Sequence, residues 1–161
     1  VDLVARTRPI LDGFDPAPDG PPTTFDVGLL LALRWFAERG VGLAVMEIGL
    51  GGRYDTVNVL TPLVSLVSSI SYDHMAILGN SLGEIAWNKA GILKPGVPAV
   101  TVPQAPEAAP VLVAEARAVH TELWVARPDG LARELPPAEA APQPYPVAPQ
   151  PALRGAFQQE N

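Results

Sequence analysis

Glu47, Asp55, Asp73, His74, Glu84 and Lys89 are the residues whose types and spacing could support catalysis or metal binding. Glu47 follows the apolar run VGLAVM and opens the stretch EIGLGGRYDTVNV, Glu47 to Val59. A buried strand ending there would deliver its carboxylate to the carboxyl edge of a sheet, where α/β folds bind ligands. Gly49, Gly51 and Gly52 would let the backbone turn tightly and approach a ligand. Arg53, Asp55 and Asn58 add charge and hydrogen-bonding capacity to the same loop. A glycine turn with solvated polar side chains is the alternative, and spacing alone does not separate the two. No Gly-Lys-Ser/Thr follows, here or elsewhere, so the chain contains no phosphate-binding P-loop pattern.

The second stretch is SYDHMAILGNSLGEIAWNKAGILKPGVPAV, Ser71 to Val100. His74 beside Asp73, just past an apolar run, is a metal-ligand candidate, because neutral imidazole binds divalent ions. An ordinary hydrogen-bonded loop histidine is the competing assignment. The chain's two lysines, Lys89 and Lys94, both lie in this stretch. A lysine on a helix face is more often simply solvated.

The elements that must position these residues follow from the pattern of apolar residues. Residues 1 to 25 read as loop, with DPAPDGPP (Asp15 to Pro22) as turn punctuation. From Asp26 to Arg39 apolar residues recur at helical spacing, with Asp26 as N-cap and Gly40 as the stop. Val41 to Ile48 is a continuous apolar run, expected to be a strand covered on both faces, and PLVSLVSSI (Pro62 to Ile70) a second. Ser81 and Glu84 make a capping box for a helix over 81 to 91. A third strand is expected over Val97 to Val102, a helix over 106 to 119 and a short strand over 122 to 126. Strands alternating with helices predict an α/β fold with a largely parallel sheet flanked by helices. Seven prolines between Pro136 and Pro151 mark a linker or irregular segment.

Composition bounds the function classes. The 161 residues are 48% hydrophobic, enough for a core. A net charge of −6 disfavours duplex nucleic acid as a partner, without excluding a small anion such as a nucleotide. Without cysteine there are no disulfides or thiolate metal sites. The amino-terminal VDLVARTRPILDG is charged from its second residue and does not read as a signal peptide. No apolar stretch reaches the roughly 18 residues of a membrane span. A soluble, cytoplasmic protein that binds no membrane is the expectation.

Taken together, EIGLGGRYDTVN and DHMAILGNSLGEIAWNKAGILKPG resemble the folylpolyglutamate synthase and dihydrofolate synthase family, within the Mur-ligase superfamily. PTTFDVGLLLAL (Pro22 to Leu33) and LRGAFQQEN (Leu153 to Asn161) extend the resemblance almost from end to end. It implies a P-loop, Mur-ligase-like ATP-binding fold, of which residues 1–135 would be part of the central ATPase domain, 136–152 a Pro-rich linker or irregular segment, and 153–161 the start of a nucleotide-contacting motif. It implies ATP and Mg2+ as cofactors, with L-glutamate and folate or dihydropteroate as small-molecule substrates. A monomer is the expected state at full length.

Residue by residue, the resemblance implies that Glu47 ligates one magnesium ion and His74 the other. Lys89 matches a lysine that the family carries as a carbamate, an anion suited to a site near magnesium. Carbamylation needs the neutral amine, which burial favours by depressing a lysine's pKa. Asp55 matches a contact to the pterin-bearing substrate, Thr23, Thr24 and Asp26 a substrate-contacting loop, and Asn161 a nucleotide contact. Three positions depart from the family pattern: Asn88 replaces a glutamate beside Lys89, Asp26 a longer acid, and Phe157 a place often held by His or Tyr.

The family's P-loop would lie upstream of Val1, so the chain reads as a central fragment that alone would lack ligase activity and bind ATP poorly. Adjacent pairing of Val41–Ile48 with Pro62–Ile70 is expected if the family assignment holds. The alternatives are another Mur-superfamily ligase acting on a peptidoglycan precursor, and a degenerate, non-catalytic α/β domain.

Overall fold

A computed structural model describes residues 2–14 and 20–135. The Pro-rich segment at 136–152, the motif at 153–161 and Asn161 lie outside the described residues. Two compact units divide the chain, one running to Glu47 and one beginning at Ile48.

The first unit carries α1 (Asp2–Asp12) and α2 (Thr24–Glu38). The loop expected over residues 1 to 25 is therefore helical in its first half. Arg6 ties that helix to itself and to α2. Its Nε donates to Asp2 one turn earlier at 2.8 Å, and its two terminal nitrogens donate to the Glu38 carboxylate at 2.8 Å each. Arg34 of α2 donates to the buried Thr7 hydroxyl at 3.1 Å. Pro9 sits inside α1, where it forgoes one amide donor.

The hydrogen bonds from Arg6 hold the Glu38 carboxyl below its usual range. A pKa depressed by folding contributes stability that is complete above the ordinary carboxylate range and is lost as pH falls through the depressed value. Amide exchange in α1 should therefore speed up, relative to α2, on acidification into that window, and Glu38→Gln should abolish the difference.

At the start of α2 the cap is Thr23, not Asp26. The Thr23 hydroxyl accepts from the Asp26 amide at 3.2 Å, and the Asp26 carboxylate accepts from the Thr23 amide at 2.8 Å. Gly40, in the left-handed conformation at φ 61, ends the helix as expected.

The second unit holds a four-stranded sheet with β1 (Ser65–Val67), β2 (Ala99–Thr101), β3 (Leu123–Arg127) and β4 (Gly130–Leu135) in that order. β1, β2 and β3 are parallel, and β4 returns antiparallel as a hairpin that the sequence pattern did not predict. α3 (Met75–Leu78) and α4 (Leu82–Ala90) connect β1 to β2, and α5 (Ala109–Ala118) connects β2 to β3. The capping box of Ser81 and Glu84 opens α4 as the sequence requires.

Alternation along the strands buries Ser65, Val67, Ala99, Thr101, Leu123 and Val125 on one face. Ile85, Ala86 and Ala90 of α4 and Leu112 and Ala116 of α5 join the same core. Leu66 on the opposite face is 65% exposed, so β1 is covered on one face rather than two.

Val41–Ile48 forms no strand. Leu43 is 71% and Val45 94% exposed, so burial does not hold the run extended, and no ladder hydrogen bonds do so instead. Strand formation depends on neighbours more than on intrinsic propensity, which is why an apolar run alone misled. The pairing of 41–48 with 62–70 expected from the family resemblance is absent. No described helix is long and apolar enough to cross a membrane.

Candidate active-site loops

The loop Gly49–Asp55 is shaped by a carboxylate within it. Asp55 Oδ2 accepts from the amides of Gly49 at 3.0 Å and Leu50 at 2.9 Å. Its Oδ1 accepts from Val57 at 2.9 Å and caps the short 3-10 turn Thr56–Val59. One side chain thus satisfies three backbone donors and fixes the glycine turn.

The loop then lies directly on the last turn of α4, the turn that carries Lys89. A Cβ on Gly52 would sit 2.8 Å from Ile92 Cγ2 and 3.0 Å from the carbonyl oxygens of both Asn88 and Lys89, so any larger residue would crowd the helix. The Arg53 amide donates to Asn88 O at 2.8 Å. Its guanidinium stacks over the Trp87 ring at 4.0 Å and pairs with Glu115 of α5 at 2.9 Å. Asn58 Nδ2 bridges the carbonyls of Arg53 at 3.1 Å and Gly91 at 3.0 Å. Arg53 is therefore a strut between loop and helices. Lys89 is half-buried, beside the fully buried Ala86 and Ala90. Lys94 donates to Asn58 O at 2.7 Å, and burial lowers its pKa.

Asn88, the departure next to Lys89, donates to Leu78 O at 2.9 Å and so ties α3 to α4. A carboxylate in its place could not donate there. Glu84 is committed to the amides of Asn80 at 2.6 Å and Ser81 at 3.1 Å.

The second loop leaves β1 through the buried Ile70 and reaches Asp73 and His74. His74 adopts a left-handed conformation, φ 47 and ψ 41. For a residue with a side chain this costs on the order of 1 kcal/mol, and such strain gathers at functional sites. The His74 amide donates to Asp73 Oδ1 at 2.8 Å, and its Nε2 lies 3.6 Å from Asp73 Oδ2, with both side chains more than half exposed.

No three His, Cys, Asp or Glu side chains cluster as a metal cage among the described residues. The exposed Asp73 carboxylate is the kind of oxygen ligand taken by a magnesium ion that keeps waters and phosphate oxygens in its shell, and the His74 imidazole stands beside it. Glu47 is exposed at the end of the first unit. Thr23, Thr24 and Asp26 form the start of α2, where Thr23 and Asp26 satisfy each other.

The chain is similar over most of its length to known proteins. The dihydrofolate synthase/folylpolyglutamate synthase of Bacillus subtilis is 44% identical over 115 residues, 71% of this chain and 27% of its own length. A folylpolyglutamate synthase of Arabidopsis thaliana is 50% identical over 108 residues, 66% of this chain and 19% of its own. Among solved structures, the apo form of the L. casei folylpolyglutamate synthase superposes with a TM-score of 0.72 at 30% identity, covering 81% of this chain and 37% of that one. The chain belongs to the folylpolyglutamate synthase family.

No family model matches the sequence. A folylpolyglutamate synthase complexed with AMPPCP and folate superposes with a TM-score of 0.71 at 31% identity, over 81% of this chain and 37% of that one. The chain spans about a quarter of the length of its Bacillus subtilis relative. Membership therefore rests on these likenesses and not on the strand pairing anticipated for residues 41–48. The sheet flanked by helices in the second unit is the α/β fold of these synthases.

Two features of these loops escaped sequence reading: the three-amide grip of Asp55 and the hydrogen bonds of Gln104 to Ser68 and Ile70. A glutamine just past a strand carries no motif that would single it out.

Proposed function

We propose that this chain is part of an ATP-dependent ligase that adds L-glutamate to folate or dihydropteroate. The observation that carries the proposal is the 44% identity to a dihydrofolate synthase/folylpolyglutamate synthase, spanning both the Asp55 loop and the Asp73–His74 loop. The solved relative complexed with AMPPCP and folate supports an ATP site and a folate site in such proteins.

In the proposed reaction the substrate carboxylate takes the terminal phosphate of ATP, releasing ADP. The amine of glutamate attacks the resulting acyl phosphate, and phosphate leaves as the amide forms. Magnesium would neutralise charge on the phosphates during transfer. Glu47 and His74 are the proposed magnesium ligands, with Asp73 beside His74. Lys89, as a carbamate, would add an anion near the metal. Asp55 holds the glycine loop in place and is the proposed contact to the pterin-bearing substrate, with Thr23, Thr24 and Asp26 contributing from the start of α2 and Asn161 contacting the nucleotide.

The test is an assay of the expressed protein, with any residues that flank this chain included. ATP-dependent incorporation of labelled glutamate into dihydropteroate or reduced folate is expected, and none into muropeptide nucleotides. Activity on the muropeptide alone would overturn the assignment.

A further inference from the structure

The side chain of Gln104 stands in for a strand. The ladder between β1 and β2 ends at the pair Val67 and Thr101. Just beyond it, Gln104 Nε2 donates to Ser68 O at 2.8 Å, and Gln104 Oε1 accepts from the Ile70 amide at 2.9 Å. Donating to one residue's carbonyl and accepting from the amide two residues on is what a neighbouring parallel strand does around the residue between them, here Ser69. The second Nε2 hydrogen goes to Thr101 Oγ1 at 2.9 Å, whose own proton goes to Val67 O at 2.9 Å. Gln104 therefore uses both of its amide donors and one of the two lone pairs on its amide oxygen.

What this bridge fixes is the departure of the chain from the sheet. Ile70 is buried, and four residues later the backbone must enter the left-handed conformation of His74. We infer that Gln104 is a positioning residue, which extends the β1 ladder by one side chain and thereby sets the path of Ser71–His74 and the presentation of the Asp73–His74 pair. The functional part of this inference rests on His74 as the proposed magnesium ligand. Its structural part does not.

The test uses the expressed protein, with any residues that flank this chain included, and Gln104→Met, which keeps length and apolar bulk but removes every donor and the amide oxygen. Amide exchange is read residue by residue, together with the ring signals of His74 in NMR spectra. Exchange at Ile70 is expected to accelerate at least tenfold and the His74 ring signals to move. Amides in the interior of α4, around Ile85, should keep their rates. Unchanged exchange at Ile70, or uniform acceleration of Ile70 and the α4 interior, would overturn the inference.

A titration with Mn2+ alone separates this outcome from that of the metal assignment. In the parent chain Mn2+ should broaden the His74 ring signals, and in Gln104→Met the same broadening should need several-fold more ion. A parent whose His74 is never broadened removes the magnesium role of His74, while Ile70 exchange still decides the role of Gln104. Broadening at equal Mn2+ in both proteins would refute the proposed effect on presentation.

Discussion

Gly91→Ala is expected to be among the most destabilising single substitutions in this chain. The new Cβ would lie 2.4 Å from Arg53 Cβ, 2.6 Å from Arg53 Cα and 2.8 Å from Arg53 Cγ. The backbone of Gly91, at φ −61 and ψ −7, is one any residue adopts, so the whole effect is steric. Arg53 has no room to retreat. Its amide is bonded to Asn88 O, its carbonyl to Asn58, and its guanidinium is held between the Trp87 ring and Glu115. Overpacking against a fixed neighbour costs about 3 kcal/mol at the upper end of its usual range, a fall in Tm of roughly 6–12 °C for a chain of this size. Thermal melts followed by circular dichroism would measure it. Gly28→Ala, where no atom lies within 4 Å of the new Cβ, is the control and should melt with the parent or above it. A Gly91→Ala protein that melts with the parent would mean that loop and helix are not packed as described.

Lys89→Ala should abolish most activity in the glutamate-addition assay, and added acetate or formate should restore part of it. Lys89 stands on the buried side of the last turn of α4, flanked by Ala86 and Ala90, which are both fully buried. A permanent ammonium near magnesium would be repelled: at 4 Å, with an effective dielectric of about 20, like charges cost roughly 4 kcal/mol. A carbamate reverses that sign. Loss of a group that stabilises charge in the transition state lowers kcat by about 100- to 1,000-fold, and that is the size expected here. Lys89→Arg keeps the positive charge, cannot be carbamylated in the same way, and should stay inactive. An active Lys89→Arg enzyme would overturn the carbamate, leaving a lysine that simply reaches a phosphate oxygen.

The parts of this molecule written in short-range rules were legible in its sequence. Ser81 and Glu84 announce α4 because a capping box is complete within four residues. β2, α5 and β3 follow from period and punctuation, and each was anticipated within a few residues. Where an outcome depends on distant partners, the pattern was silent or wrong. Val41–Ile48 looks like a buried strand but has no ladder, while α1 looks like a loop and is held by Arg6 reaching Glu38 thirty-two residues away. β4 carries Arg133 and Glu134 among short apolar residues, so only its hairpin with β3 defines it. The candidate site divides the same way. The identities of Asp55, His74 and Lys89 stood out, but not that Asp55 spends its carboxylate on three amides of its own loop, nor that Asn88 ties α3 to α4.

Gln104 touches only main-chain atoms of the segment it holds, the carbonyl of Ser68 and the amide of Ile70. Every amino acid except proline presents those same two groups. The identities of Ser68 and Ser69, both exposed, are therefore free to drift across related sequences without loosening the grip, whereas position 104 is not. The loop can diversify its chemistry while its geometry is inherited from a residue more than thirty positions away.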